Sequence, residues 1–180
     1  MAADVRPHGP YGAESSLCYS GRRRSPARHL RAHGRIHRHQ FELTPPTVQE
    51  FSARIQKAIA KWAWLVAEQE GQCVAYAYAS SHRERPVYQW SVETSAYVAT
   101  SARRQGIGAL LYRELFAALA SRGYCNAFAG IALPNPASVA LHHAVGFSPI
   151  GIFKAVGRKF GAWHDVAWFQ KQLRNEPPRD

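Results

Sequence analysis

The stretch Arg103-Arg104-Gln105-Gly106-Ile107-Gly108-Ala109 constrains the fold most, because it sets two glycines where a strand-like run gives way to a helical one. Before it, Tyr88 to Ala99 is rich in β-formers, among them Tyr88, Trp90, Val92, Tyr97 and Val98. After it, Ile107, Leu110, Leu111, Leu115, Ala118 and Leu119 recur at helical spacing. Glycine lets backbone N–H groups approach a ligand closely, and the helix N terminus adds positive potential. Such a corner is either a seat for a phosphate or pyrophosphate or a plain structural turn. The Walker pattern is absent, since no Gly-Lys-Ser/Thr follows. The dinucleotide fingerprint also fails, since its third glycine is missing and it would follow a first strand.

The rest of the chain reads as strands interleaved with helices. Thr47 to Lys61 is a predicted helix: Thr47 caps it, Glu50 completes a capping box, and Phe51, Ile55, Ala58 and Ile59 form its apolar stripe. Trp62–Glu68 and Cys73–Ala79 form a hairpin about a turn at Glu70-Gly71-Gln72, and His82 to Pro86 is a polar loop. The long strand Tyr88–Ala99 precedes the glycine turn. A helix Gly106–Arg122, a strand Tyr124–Leu133, a helix Asn135–Val145 ended by Gly146, and strands near Ser148–Val156 and His164–Gln172 follow. This order predicts an α/β (α+β) chain with a mixed sheet flanked by helices.

At 180 residues the chain suits one domain with a substantial core. No apolar run is long enough to cross a membrane and the start lacks the apolar centre of a secretory signal, so a cytoplasmic protein is expected. Cys18, Cys73 and Cys125 have neither metal nor redox spacing, and no metal is expected. The net charge of +11 is concentrated at one end. The first forty residues hold eight arginines, no lysine, two acidic residues and five of the nine histidines.

The ordered set Arg-x-x-Gly-x-Gly, Leu133-Pro134-Asn135-x-x-Ser138 and Leu141-His142-x-x-x-Gly146-Phe147 resembles the GNAT superfamily of acyl-CoA-dependent N-acetyltransferases, within it the phosphinothricin N-acetyltransferase group. Trp64-Leu65-Val66-Ala67-Glu68, Tyr97-Val98 and Lys159-Phe160-Gly161-x-Trp163-His164-Asp165-Val166 support it, and the resemblance runs from about Phe41 to Leu173. It implies a splayed sheet, with acetyl-CoA as co-substrate lying between the strands that end at Val98 and Leu133. It also implies a small-molecule amine acceptor and a homodimer.

Arg104, Gln105, Gly106, Ile107, Gly108 and Ala109 are the candidates to hold the CoA diphosphate. The resemblance carries over Ala96, Tyr97 and Val98 as the strand edge facing the cofactor. It carries over Asn135 as a contact on the opposite arm, although Asn135 also reads as a helix N-cap. A primary ammonium is mostly protonated at neutral pH, so the reaction needs a base. Glu93, in Trp90-Ser91-Val92-Glu93-Thr94, is the first candidate, on a strand that would bring its carboxylate near the core. The alternative is a solvent-facing strand glutamate. His142 is second, as proton relay, substrate-orienting group or structural histidine. Trp163 either borders the acceptor or packs at a strand start, and Arg85 is the candidate partner of an acceptor carboxylate.

Residues 1–40 show no strand or helix periodicity where the resemblance implies a first strand and wall helices. They are expected to be disordered or the product of a shifted reading frame, which readily yields an excess of Arg and His in GC-rich DNA. Two alternatives follow: a CoA-binding chain with impaired catalysis, or an acetyltransferase for another amine. A basic arm for nucleic acid is disfavoured, because only Tyr11 and Tyr19 interleave the arginines and no nucleic-acid module is recognisable. Residues 174–180 are expected to be a flexible tail.

Overall fold

A computed structural model describes residues 16–19 and 46–178. The elements run β1 (Ser16–Tyr19), α1 (Val48–Lys61), β2 (Trp64–Gln69), β3 (Gln72–Ser81), β4 (Ser91–Val98), α2 (Ile107–Ser121), β5 (Asn126–Ala132), α3 (Pro136–Ala144), β6 (Ser148–Lys159) and β7 (Ala162–Gln172). The seven strands form one mixed sheet in the order β1-β2-β3-β4-β5-β7-β6. Among the described residues only β4 and β5 pair in parallel, which requires the crossover through α2.

Local chemistry sets the helix ends. Thr47 Oγ1 accepts from Glu50 N at 3.2 Å while Glu50 Oε2 accepts from Thr47 N at 2.7 Å, the predicted reciprocal cap. Asn135 caps α3, and the N terminus of α2 rests on Gly106 with φ +78°. The predicted strand from Tyr88 begins instead at Ser91. Pro86 pre-sets φ for a 3-10 turn at Pro86–Tyr88, which consumes the first residues of that run.

Alternation along the strands assigns the two faces. Leu65, Ala77, Thr94, Val98 and Phe169 face the layer of α2 and α3, whose Leu111, Tyr112, Leu115 and Leu119 are solvent-excluded. The opposite face carries Trp64, Tyr76, Tyr78, Glu93, Phe128 and Trp168. Phe51 of α1 packs edge-on against Trp64 and Tyr76 there, at centroid distances of 5.4 and 6.1 Å. Glu93 thus lies on the α1 face with a side chain 37% exposed, outside the core.

Within the segment set apart as 1–40, Ser16–Tyr19 is placed as an edge strand, antiparallel to Leu65–Glu68 of β2. The periodicity argument misses it because an edge strand needs only one hydrogen-bonded neighbour, and four residues are too few to show alternation. The remainder of 1–40 lies outside the described residues. The tail beginning at 174 touches the domain: Arg174 donates to the Ala120 carbonyl at 3.0 Å, and the Pro178 ring lies against Gly123.

Leu115 is fully buried at the centre of the α2 layer. Leu115→Ala is expected to lower unfolding free energy by about 2–5 kcal/mol, through lost burial and the cavity left behind. Urea denaturation followed by circular dichroism measures it.

Candidate active site

The parallel pairing of β4 with β5 covers three positions, Ser91–Asn126, Val92–Ala127 and Glu93–Phe128. Beyond them β4 stays bonded to β3 through Val98, and β5 stays bonded to β7 through Ala132. The two strands therefore part at Glu93 and Phe128 and leave a V with backbone edges on both arms. At its vertex Thr94 Oγ1 donates to the Phe128 carbonyl at 3.2 Å, a buried side-chain bond where the ladder ends. Ala96, Tyr97 and Val98 lie on the β4 arm. Open strand edges can accept an extended ligand as a further strand.

The β4 arm leads through a 3-10 turn at Thr100–Ala102 into the glycine corner. Arg104 and Gly106 both adopt positive φ, +61° and +78°. No side chain caps α2, and its first intrahelical bond of this corner runs from Leu110 N to the Gly106 carbonyl. The N–H groups of Ile107, Gly108 and Ala109 thus precede the helical ladder, as an anion seat requires. Gln105 braces the turn, donating to the Ser101 carbonyl at 3.2 Å and accepting from Gln69 at 3.0 Å. The two glycines have different reasons to be glycine. A Cβ on Gly106 would meet nothing within 4 Å, so its backbone dihedral decides. A Cβ on Gly108 would come 3.1 Å from Leu141 Cδ2, so Gly108 also lets α2 approach α3.

Across the V, Asn135 follows a cis Leu133–Pro134 bond, and its Oδ1 accepts from Ser138 N at 3.2 Å. The capping reading of Asn135 holds, and its amide NH₂ is left for other partners.

Glu93 adjoins a cluster of aromatic rings through His82. His82, just past the end of β3, sets Nδ1 3.2 Å from Glu93 Oε1. Its ring stacks on Phe128 at 4.2 Å and 12°, and meets Tyr88 and Trp168 edge-on at 6.1 and 6.5 Å. His82 was read as part of a polar loop. A lone histidine after two serines gives no sequence signal, and only the sheet register brings it beside Glu93.

His142 lies on the other side of the sheet. Its Nδ1 is 2.7 Å from the Ser138 carbonyl, which can only accept, so Nδ1 carries the proton. Nε2 then accepts from Tyr112 Oη–H at 2.9 Å. Both nitrogens are engaged, the side chain is buried, and burial holds its pKa below the ordinary histidine value. Glu93 and His142 therefore do not share a face. Thr94, next to Glu93 in sequence, is turned to the His142 side of the sheet, where it is buried and its hydroxyl donates to the Phe128 carbonyl.

Arg85 lines a pocket of about 260 Å³ together with Lys61, Arg83, Glu84, Tyr88 and Ser91, three cations against one carboxylate. Tyr88 contacts His82, and Ser91 is two residues from Glu93 on the same strand face, so this cationic pocket adjoins the Glu93 cluster. Trp163 is elsewhere. It is 63% exposed and pairs with Arg158 near the tip of the β6–β7 hairpin. Gln170 is the β7 residue level with Glu93, so seven residues, about 23 Å of strand, separate Trp163 from that level. Asp165 clamps the bulge in this hairpin, accepting from Lys154 Nζ at 2.8 Å and from Ala155 N at 2.9 Å. Burial pushes the Cys73 thiol up to about 11, which disfavours the thiolate at neutral pH.

A sheet parted beside an uncapped helix N terminus offers strand edges and an anion seat to one extended ligand, with a carboxylate at the vertex. The acetyltransferase (GNAT) domain family matches residues 26–168, a span that opens inside the 1–40 segment, and the chain belongs to that family. Phosphinothricin N-acetyltransferase of Streptomyces viridochromogenes is 38% identical over 140 residues, 77% of this chain and 76% of that protein. The Streptomyces coelicolor protein of that name is 49% identical over 102 residues, covering 57% of this chain and 60% of its own length. The L-methionine sulfoximine/L-methionine sulfone acetyltransferase of Salmonella typhimurium is 35% identical over 109 residues, 61% of this chain and 64% of that protein. Among solved structures, a Sinorhizobium meliloti phosphinothricin acetyltransferase in complex with AcCoA superimposes with TM-score 0.78 at 34% identity, covering 91% of this chain and 93% of that one. The protein is an N-acetyltransferase that uses acetyl-CoA as co-substrate.

Two outcomes test this geometry. Gly106→Val forces a β-branched residue to φ +78° and displaces the corner, so acetyl-CoA affinity measured by calorimetry is expected to fall at least about 10-fold. The second concerns His142, whose folded pKa lies below its unfolded value. The unfolded chain binds more protons between the two, so stability falls as pH drops below 6.5. Chemical denaturation across pH should show this slope in the parent chain and a shallower one in His142→Gln.

Proposed function

We propose that this chain transfers the acetyl group to the free amine of a small amino-acid-like acceptor of the phosphinothricin, methionine sulfone or methionine sulfoximine type. The observation that carries the reading is the position of Glu93: the last β4 residue paired with β5, on the face that adjoins a pocket lined by Lys61, Arg83 and Arg85 with one acidic residue, Glu84. The relatives named for these acceptors support the same chemistry. In this reading the diphosphate rests on the N–H groups of the Arg104–Ala109 corner, with Arg104 adding charge. The pantetheine runs along Ala96, Tyr97 and Val98, and the Asn135 amide contacts it from the other arm. Arg85 pairs with the acceptor carboxylate.

The ammonium must lose a proton before its nitrogen can attack the thioester. Glu93 is the base group, because its carboxylate is partly solvent-accessible at the vertex while both nitrogens of His142 are occupied beneath the sheet. His142 then serves by holding the Tyr112 hydroxyl in the buried layer beneath the sheet. Ile150, Ile152, Phe153, Val156, Phe160 and Trp163 expose apolar side chains on or beside the β6–β7 hairpin. We assign this surface to a homodimer, and a contact of Trp163 with acceptor would come from the second copy. A cytoplasmic setting and a role in resistance to such amino-acid analogues belong to the same reading.

A second reading keeps acetyl-CoA binding but reduces turnover through the Arg- and His-rich segment 1–40, treated as distinct from the domain 41–173. A thiol-release assay with methionine sulfone separates the two. Acetyl-CoA-dependent thiol release supports the first reading. Acetyl-CoA binding without release for this acceptor or for phosphinothricin sinks it in favour of the second, and release only with other amines reassigns the acceptor. Glu93→Gln is nearly isosteric but a poor proton acceptor, so kcat is expected to fall about 10²-fold with acetyl-CoA affinity unchanged.

A further inference from the structure

The cluster on the α1 face holds a group with no role in the chemistry so far, the His82 imidazole. Its side chain is 13% exposed, and its ring is fixed against Phe128, the β5 residue paired with Glu93 at the vertex. Nδ1 lies 3.2 Å from Glu93 Oε1. An ionised carboxylate can only accept, so the bond is made by Nδ1–H, and the lone pair of the neutral ring is on Nε2. The one solvent-excluded side-chain N or O without a partner among the described residues is Trp168 Nε1. His82 Nε2, which makes no hydrogen bond there, therefore reaches solvent on this face.

We infer that His82 and Glu93 act as a dyad in which His82 Nε2 takes the proton from the acceptor ammonium. Glu93 fixes the tautomer and stabilises the imidazolium that forms, the division of labour that carboxylate–histidine pairs have in acyl transfer. This rests on the reading that the acceptor amine enters from the Glu93 face, and it refines the base named above. The steps balance. One ammonium N–H bond breaks and its proton binds Nε2, leaving the nitrogen lone pair free. That lone pair attacks the thioester carbonyl carbon, the C–S bond breaks, and the departing thiolate takes a second proton from the same nitrogen. The imidazolium returns the first proton to solvent, giving an amide, CoA thiol and one released proton.

The geometry favours imidazole over the carboxylate as the terminal acceptor for a further reason. Stacking on Phe128 and edge contacts to Tyr88 and Trp168 restrict the His82 ring, whereas Glu93 has torsional freedom of its own. A ring held on three sides presents its nitrogen in one direction.

The first test needs no acceptor. In ¹⁵N-labelled protein the neutral His82 ring should be the Nδ1–H tautomer, and Glu93→Ala should convert it toward Nε2–H. A wild-type ring protonated at Nε2 overturns the inference whether or not an acceptor has been found. The second uses turnover. His82→Phe keeps an aromatic ring to stack on Phe128 but has no nitrogen, and kcat should fall about 10²-fold with acetyl-CoA affinity unchanged. His82→Ala should regain at least about 10-fold of its lost turnover on addition of free imidazole, which a purely structural role would not give. The double variant His82→Phe, Glu93→Gln should be no slower than the slower single variant. Wild-type-like kcat in His82→Phe refutes the dyad but leaves the acetyl-transfer reading intact. Absence of thiol release by the wild type sinks the acceptor reading, while the tautomer measurement still decides the dyad.

Discussion

Parallel pairing between β4 and β5 stops after Glu93–Phe128, and the functional geometry of the chain depends on that stop. Had the ladder continued, Thr94 to Val98 would be bonded on both edges and no backbone would be free for an extended ligand. Each arm keeps its outer neighbour, β3 for one and β7 for the other, so the sheet opens without leaving either strand unsupported. The Thr94 hydroxyl on the Phe128 carbonyl holds the vertex at one point. Every proposed role is measured from there: the glycine corner at the end of one arm, Asn135 at the end of the other, and Glu93 at the junction.

The two faces of the vertex are chemically different for a physical reason. On the α2 side the space is filled, and polar groups survive only by satisfying one another, in the run Ser138, His142 and Tyr112. A buried imidazole with both nitrogens bonded costs little only while neutral, which is the state that burial enforces. On the α1 side Glu93 and His82 keep access to solvent within an aromatic wall. Charge can change there during a reaction, and it cannot easily change beneath the sheet. That difference, rather than residue type, separates the roles of the two histidines.

Much of the fold was legible in the sequence. The capping box at Thr47 and Glu50, the apolar spacing of α2 and the corner at Gly106 are local signals, and each element lies where those signals put it. Boundaries failed where local and tertiary demands differ. The strand expected from Tyr88 starts at Ser91 because Pro86 favours a turn, and the edge strand Ser16–Tyr19 is too short to show a period. Trp163 sits close to Asp165 and Val166 in sequence, but strand rise carries it far from the level of Glu93.

By itself the sequence determined most of the elements and the glycine corner between the strand ending near Val98 and the helix after it, because capping, periodicity and glycine dihedrals act over a few residues. The resemblance in motif order extended this to acetyl transfer. Only the tertiary structure decided which side chains meet. Glu93 and His142 look like partners along the chain, yet the alternation of one strand turns Glu93 to one face and Thr94, with His142, to the other. His82 carries no motif, yet the register of β3 against β4 sets it beside the carboxylate. Pairing register is a sum over contacts distant in sequence, and no local pattern encodes it.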